Sequence, residues 1–262
     1  MNRLDSLHED ITAYLGGKLS HEPLESDQPK RILELGYATA SATKHRAMQA
    51  AITFPDAEIL AVDLAEIPRT LPENVRFIKA DLTNPWDFAE PESFDIVHAR
   101  CFVLNLPNYQ STLRRAIAML KPGGWLSLED PDNTLYDDAG AELGSGLKTW
   151  FKEWKDILMK RNLNFEAVRE YESFLTHLDE FSSVSVRKAS IPISSQPDVP
   201  TLERLGITVR NALNVIFRQT ATNLAGHGLT LEMAEKAIAE VNEGSRWGLR
   251  LDFYFLWTRK RM

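Results

Sequence analysis

Arg31-Ile32-Leu33-Glu34-Leu35-Gly36-Tyr37-Ala38-Thr39-Ala40-Ser41 is the stretch whose reading decides the fold. A short apolar run closes on an acid and a glycine. Small residues then turn the chain into Ala42-Thr43-Lys44-His45-Arg46-Ala47-Met48, which reads as a helix. In an open parallel sheet, a strand, a tight turn and a helix N-terminus in that order form a crevice for a nucleotide-like ligand. Backbone N–H groups and the carboxyl end of the strand face the same space there.

The rhythm repeats downstream. Ala57 to Asp63, Val75 to Asp81 and Ser93 to Ala99 are further short apolar runs, residues 107–120 are helix-forming, and Lys121-Pro122-Gly123-Gly124 turns the chain into Trp125 to Asp130. Five such strands separated by helices predict a parallel sheet with right-handed crossovers. Past Pro131 the pattern changes to mostly helix over 144–180, with Trp150, Phe151, Trp154, Ile157 and Leu158 at helical spacing. A strand from Val184 to Ile193, helices over 200–222 and 230–241, and an aromatic segment at 247–257 follow. In that last segment Leu249, Leu251, Phe253 and Phe255 alternate, and it is expected to pair back with the strand near 184–193. Upstream, Leu4, Leu7, Ile11 and Leu15 mark an amphipathic helix, either packed on the main domain or acting as a flap over the crevice. The expected organisation is a helix and linker over 1–29, then one domain over 30–262 with helical cap elements at 135–180 and 198–245.

Bulk properties narrow the class. A net charge of −7 over 262 residues argues against a general electrostatic grip on nucleic acid or anionic lipid. The single cysteine, Cys101, excludes an internal disulfide framework and a multi-cysteine zinc site, and no spacing of His, Asp and Glu suggests another metal. The N-terminal residues do not read as a secretory signal, and no apolar run is long enough to span a bilayer, so a cytoplasmic location is expected.

Acids fall at the ends of successive strands. Glu34 sits beside the first turn, Asp63 ends the second strand where a carboxylate suits the vicinal hydroxyls of a ribose, and Asp81 ends the third where an acceptor could meet an exocyclic amine. Together they suggest an adenosine site.

These residues resemble the class I S-adenosylmethionine-dependent methyltransferases, in particular the small-molecule methyltransferases of fungal secondary metabolism. The resemblance is carried by Ile32 to Gly36, Ile59 to Leu64, Asn74 to Asp81, Phe94 to Arg100 and Leu120 to Leu126, in that order over residues 30–131. It implies an α/β, Rossmann-like sheet of seven strands, mostly parallel with the last antiparallel, helices on both faces and a helical cap insertion. It also implies S-adenosyl-L-methionine as cofactor. The contacts implied come from Glu34, Gly36, Tyr37 and Ala38 in the first loop, Asp63 and Leu64 after the second strand, Asp81 and Leu82 after the third, and Ala99 on the fourth. The acceptor is expected to be a small, fairly apolar molecule, and a homodimer is compatible with this reading.

The opening loop departs from the family pattern, with Ala38 and Ala40 where glycine is expected. An alanine forced into a left-handed conformation costs about 1–2 kcal/mol, so two such penalties weaken cofactor binding by roughly a hundredfold. At negative φ the cost is small. His98 reads either as a general base or as a hydrogen-bonded histidine, structural or flanking the cofactor. Glu129 and Asp130 are expected to point into the crevice, either to orient the acceptor or accept its proton or as capping and solvated acids, with Asp130 the catalytic candidate of the two. His177 is a candidate substrate-facing residue, and Cys101 lacks the partner pattern of a nucleophile. Methyl transfer to oxygen, nitrogen or carbon is the leading reading. A cyclase or isomerase on the same fold, with His98, Asp130 or His177 as acid or base, and a non-catalytic partner protein are the alternatives.

Overall fold

The computed structural model describes residues 3–21, 24, 28–36, 42–64, 70–102, 106–137, 142–193, 200–243 and 248–262. Its elements are α1 (Arg3–Tyr14), β1 (Arg31–Leu35), α2 (Ala42–Thr53), β2 (Glu58–Asp63), β3 (Val75–Lys79), β4 (Phe94–Arg100), α3 (Tyr109–Met119), β5 (Leu120–Asp137), α4 (Ser145–Lys160), α5 (Ala167–Thr176), β6 (Phe181–Pro192), α6 (Pro200–Asn223), α7 (Leu231–Glu243) and β7 (Leu249–Lys260). They build one seven-stranded sheet in the order β3-β2-β1-β4-β5-β7-β6. β1 to β5 run parallel, and β7 runs antiparallel to both β5 and β6. The expected seven-stranded Rossmann-like sheet with an antiparallel last strand is therefore the observed one.

The strands nearest the centre are apolar because both faces are covered. Ile32 to Leu35, Ile59 to Asp63 and Ile96 to Arg100 are buried without interruption, the pattern of parallel strands between helical layers. Alternate residues serve different cores. Leu33, Leu35, Val97, Ala99, Leu126 and Leu128 pack with α3 and α5. Ile32, Ile59, Ala61 and Ile96 point the other way, toward Ala47, Ala50 and Ala51 of α2. On that same side β7 adds Leu251, Phe253 and Phe255 to a third cluster with α1, α4, α6 and α7. α1 contributes Ile11 and Leu15 to this cluster and is tied to α6 by Asp10, which accepts from Thr208 Oγ1 at 2.6 Å and pairs with Arg204.

β5 runs further than the expected 125–130. It bends where its pairing with β7 shifts, between Pro131 opposite Phe253 and Leu135 opposite Leu251. Three residues, 132–134, thus lie opposite one, Asp252. Such bulges re-aim side chains and are common beside binding sites.

Candidate functional site

The carboxyl ends of the parallel strands converge on Gly36. Its φ is +72°, and a Cβ built there would lie 2.2 Å from Phe102 Cδ2, so both backbone and packing require glycine. Phe102 is held in place by its own N–H, which donates to Asp130 Oδ1 at 2.7 Å. Asp130 Oδ2 accepts in turn from the Tyr171 hydroxyl at 3.0 Å. Between them, Cys101 takes φ +53°, and burial with Asp130 nearby pushes its thiol up to about 12, which leaves no thiolate nucleophile at neutral pH.

Asp63 is buried at the end of β2, and its carbonyl accepts from Ala80 N–H at 2.9 Å, which joins the ends of β2 and β3. Leu64, the next residue, is 66 % exposed. Asp81 is exposed, with Oδ1 accepting from Thr83 N–H at 2.9 Å and Thr83 Oγ1 at 2.7 Å. The Thr83 hydroxyl and N–H hold its carboxyl below the usual range. Leu82 is buried, and its carbonyl accepts from Trp86 Nε1 and Arg115 Nη1. Ala99 is buried in register with Leu35 and Leu128. The edge that carries Gly36, Asp63 and Asp81 is thus one continuous rim, with acids at the distances along it that three neighbouring strands impose. Tyr37, Ala38 and Ala40 lie outside the described residues.

Four sequence-based expectations are corrected here. Glu34 does not open toward the crevice. It pairs in register with His98 on β4, and both side chains are wholly enclosed on the face that α1 and α2 cover. Glu34 Oε2 is 2.6 Å from His98 Nδ1, and Arg46 from α2 lies 3.6 Å from Glu34 Oε1 while donating to the Leu19 carbonyl. On the other side His98 Nε2 is 3.6 Å from Glu129 Oε2. Arg100 Nε donates to that oxygen at 2.5 Å, and Arg100 Nη1 meets His8 Nδ1 of α1 at 2.7 Å. His98 is therefore not a general base facing substrate. Burial and Arg46 depress its pKa, but Glu34 and Glu129 prevail and raise it. Burial opposes ionisation of Glu129, yet Arg100, His98 and Arg46 hold its carboxyl well below the usual range.

Glu129 and Asp130 do not point together into the crevice, because successive strand residues face opposite sides of the sheet. Glu129 joins the charged cluster, and Asp130 faces α5 through Tyr171. Asp130, only 4 % exposed, is engaged with Phe102 and Tyr171 and anchors the chain after β4 rather than handling a proton. His177 is exposed, with Nδ1 2.6 Å from the Ser173 carbonyl. It lies four residues before Phe181, which pairs with Lys260 at the end of the sheet opposite the crevice, so it belongs to no site at the strand ends. The residues on which a cyclase or isomerase reading relied are thereby enclosed or at the wrong end of the sheet.

One residue past Asp130, Pro131 and then Asp132 and Asn133 of the β5 bulge line an apolar cavity of about 100 Å³. Phe151 and Trp154 of α4, Val209, Ala212, Leu213 and Ile216 of α6, Leu251 and Phe253 of β7, and Leu7 of α1 wall it. Phe165 stands edge-on to Trp154, with ring centres 5.7 Å apart at 88°. Trp150, by contrast, is fully buried in the core against Phe217. The aromatic cluster read from the sequence thus divides between core and cavity wall, and α1 both packs on the domain and lines this cavity.

Sequence reasoning missed Arg46, Arg100 and His8 as partners of the buried acids, and Phe102 as the group packed on Gly36. A period-two reading of β1 and β4 as neighbours would have faced Glu34 with His98. Nothing in sequence spacing marks Phe102.

Residues 7–185 match the model of a family described as "Methyltransferase domain". The chain is 33% identical to "Methyltransferase str2" of Strobilurus tenacellus, over 98% of this chain and 92% of that one. It is 34% identical to "Methyltransferase str3" of the same organism, over 99% and 93%. Among solved structures, a putative sarcosine dimethylglycine methyltransferase from Galdieria sulphuraria superposes with a TM-score of 0.52 at 19% identity, covering 97% of this chain and 85% of that one, a likeness of fold. A glycine-required turn at the end of β1, acids along the strand ends and relatives matched over nearly their whole length lead to one assignment: the chain belongs to the S-adenosylmethionine-dependent methyltransferases.

Proposed function

We propose that the rim at the carboxyl ends of β1 to β4 holds S-adenosylmethionine, and that the cavity between α4, α6 and the β5 bulge holds the acceptor. Gly36 gives the backbone approach for the methionine part, Asp63 accepts from the ribose hydroxyls, and Asp81 with Leu82 meets the adenine. The acceptor is a small, mostly apolar metabolite whose body packs on Phe151, Trp154 and Phe253. The observation that carries this reading is the position of that aromatic cavity, reached in one residue from Asp130, which seats Phe102 on Gly36.

When bound, the cofactor supplies a methyl group already activated by a sulfonium. The chain's part is alignment and exclusion of water, which orientation alone can make worth several orders of magnitude in rate. Asp132, the carboxylate in the cavity lining, is engaged by Thr134 N–H, Tyr136 and Arg169. It is not offered as a base, which suits an acceptor that arrives as a carboxylate or an ionised phenol. Cytoplasmic location and assembly as a homodimer belong to the same proposal, and light scattering of the purified enzyme tests the assembly.

The test is transfer of a labelled methyl group from S-adenosylmethionine to a panel of small aromatic acids, phenols and amines, alongside calorimetry with S-adenosylhomocysteine. Label in at least one acceptor is expected. Absence of binding of either cofactor form at millimolar concentration contradicts the reading.

A further inference from the structure

The polar side chains bordering the cavity bond within the protein, and the surface that the described residues offer to a ligand there is almost entirely apolar. The Asp132 carboxylate is buried. It takes two hydrogen bonds from Arg169, at 2.8 and 2.9 Å, one from the Tyr136 hydroxyl at 2.8 Å and one from Thr134 N–H at 3.0 Å. Asn133 Nδ2 donates to the Phe165 carbonyl at 2.9 Å. The walls are aromatic at Phe151, Trp154 and Phe253 and aliphatic along α6 at Ala212, Leu213 and Ile216.

The cavity holds about 100 Å³, the same order as the roughly 150 Å³ apolar cavity that stays dry and takes up benzene. One six-membered ring is the body that such a space suits. Pairing with the aromatic walls favours an aryl ring over a saturated one. A hydroxyl or amine carried into this space leaves its water behind and meets almost nothing to replace it, so the desolvation cost falls on the ligand. An oxygen or nitrogen that accepts a methyl group is itself such a group.

We propose that the cavity is an aryl subsite that admits only the unsubstituted end of the acceptor. The substrate class is a single aromatic ring with no hydrogen-bonding group on its far edge, joined to a polar, methyl-accepting group that stays outside the cavity. The enzyme selects by exclusion: a hydroxyl on the far edge of the ring is buried without a partner, whereas the same hydroxyl on the linking chain keeps its water. This deepens the assignment of the cavity to the acceptor and rests on it.

Hydrocinnamyl alcohol is the reference probe. Two isomeric diols add one hydroxyl to it, either at the para position of the ring or on the middle carbon of the chain. Because the diols carry the same groups, a preference for general hydrophobicity cannot separate them. Affinities are measured by ligand-observed NMR titration of the full-length enzyme saturated with S-adenosylhomocysteine, for wild type and for Ala212→Leu, which fills the cavity from α6. In wild type the para hydroxyl is expected to weaken binding about five- to a hundredfold, the cost of one buried hydroxyl without a partner, and the chain hydroxyl to leave it within about twofold. Ala212→Leu is expected to weaken the reference probe about tenfold or more and to erase the difference between the diols. If Ala212→Leu weakens the reference probe but the para diol binds wild type as tightly as the chain diol, the exclusion of ring substituents is overturned and the cavity assignment stands. If Ala212→Leu leaves the reference probe bound as in wild type, or wild type binds none of the probes at millimolar concentration, the cavity assignment fails and takes this proposal with it. Ile216→Phe, read in the same way, replaces Ala212→Leu should thermal melting show that variant unfolded.

Discussion

One face of the sheet holds two interiors of opposite character. Under the ends of β1, β4 and β5 lie two glutamates, two arginines and His98, capped by His8. Where β5 meets β7, on the same face, lie Phe151, Trp154, Phe253 and aliphatic side chains around a cavity. Neighbouring residues of α1 touch both, since Leu7 lines the cavity and His8 meets Arg100. The difference teaches what each half must do. A buried ionic cluster contributes little net stability, but its geometry is stringent. It pins Glu34, two residues before Gly36, and Arg100, one before Cys101, so that the backbone of the donor rim has one arrangement. Apolar contacts are not directional, so the cavity walls set a shape rather than a single arrangement of partners.

The comparison breaks first if the charged half can be emptied without consequence. Glu129→Ala leaves Arg100 and His98 buried beside each other with their shared acid removed, a loss of about 3–5 kcal/mol. Chemical denaturation of this variant is expected to show it, and a change below about 1 kcal/mol would falsify the view of the cluster as mutually dependent. A somewhat smaller effect is expected at the rim. Gly36→Ala places a methyl group in the Phe102 ring at a φ of +72°, and S-adenosylhomocysteine affinity should fall about a hundredfold, the equivalent of about 2.7 kcal/mol. Phe102→Leu in the same chain should recover part of that loss, since the ring is the obstacle. No recovery would mean that the backbone angle alone sets the cost.

The smallest effect is in pH. His98 has a raised pKa in the folded protein, so its stabilising contribution is fully present below its ordinary value of 6.5 and disappears as pH rises through the higher folded value. Thermal melts of wild type and His98→Gln should therefore differ most below pH 6.5 and draw together as the pH rises above it. A gap that widened with pH would mean that His98 is held neutral.

Much of the fold was legible because central parallel strands are continuous apolar runs and each ends in a residue with a job. The alternation at Leu249, Leu251, Phe253 and Phe255 gave β7 equally plainly, since one period-two stripe faces one core. The site was legible only to the level of the rim. An acid at a strand end does not say which face it takes, and so Glu34 and Glu129, read as crevice groups, turn inward to His98. His177 carried no mark of the end of the sheet on which it lies, because that depends on β6 running parallel to β5 through β7.

The separation of donor rim from acceptor cavity is tested most directly by calorimetric titration of S-adenosylhomocysteine into wild type, Asp63→Asn and Ala212→Leu. Losing the charge proposed to receive the ribose hydroxyls should weaken binding about tenfold or more, as for a hydrogen bond to a charged group, while filling the cavity should leave the affinity as in wild type. An unchanged affinity in Asp63→Asn, or one lowered as much in Ala212→Leu, would contradict the account.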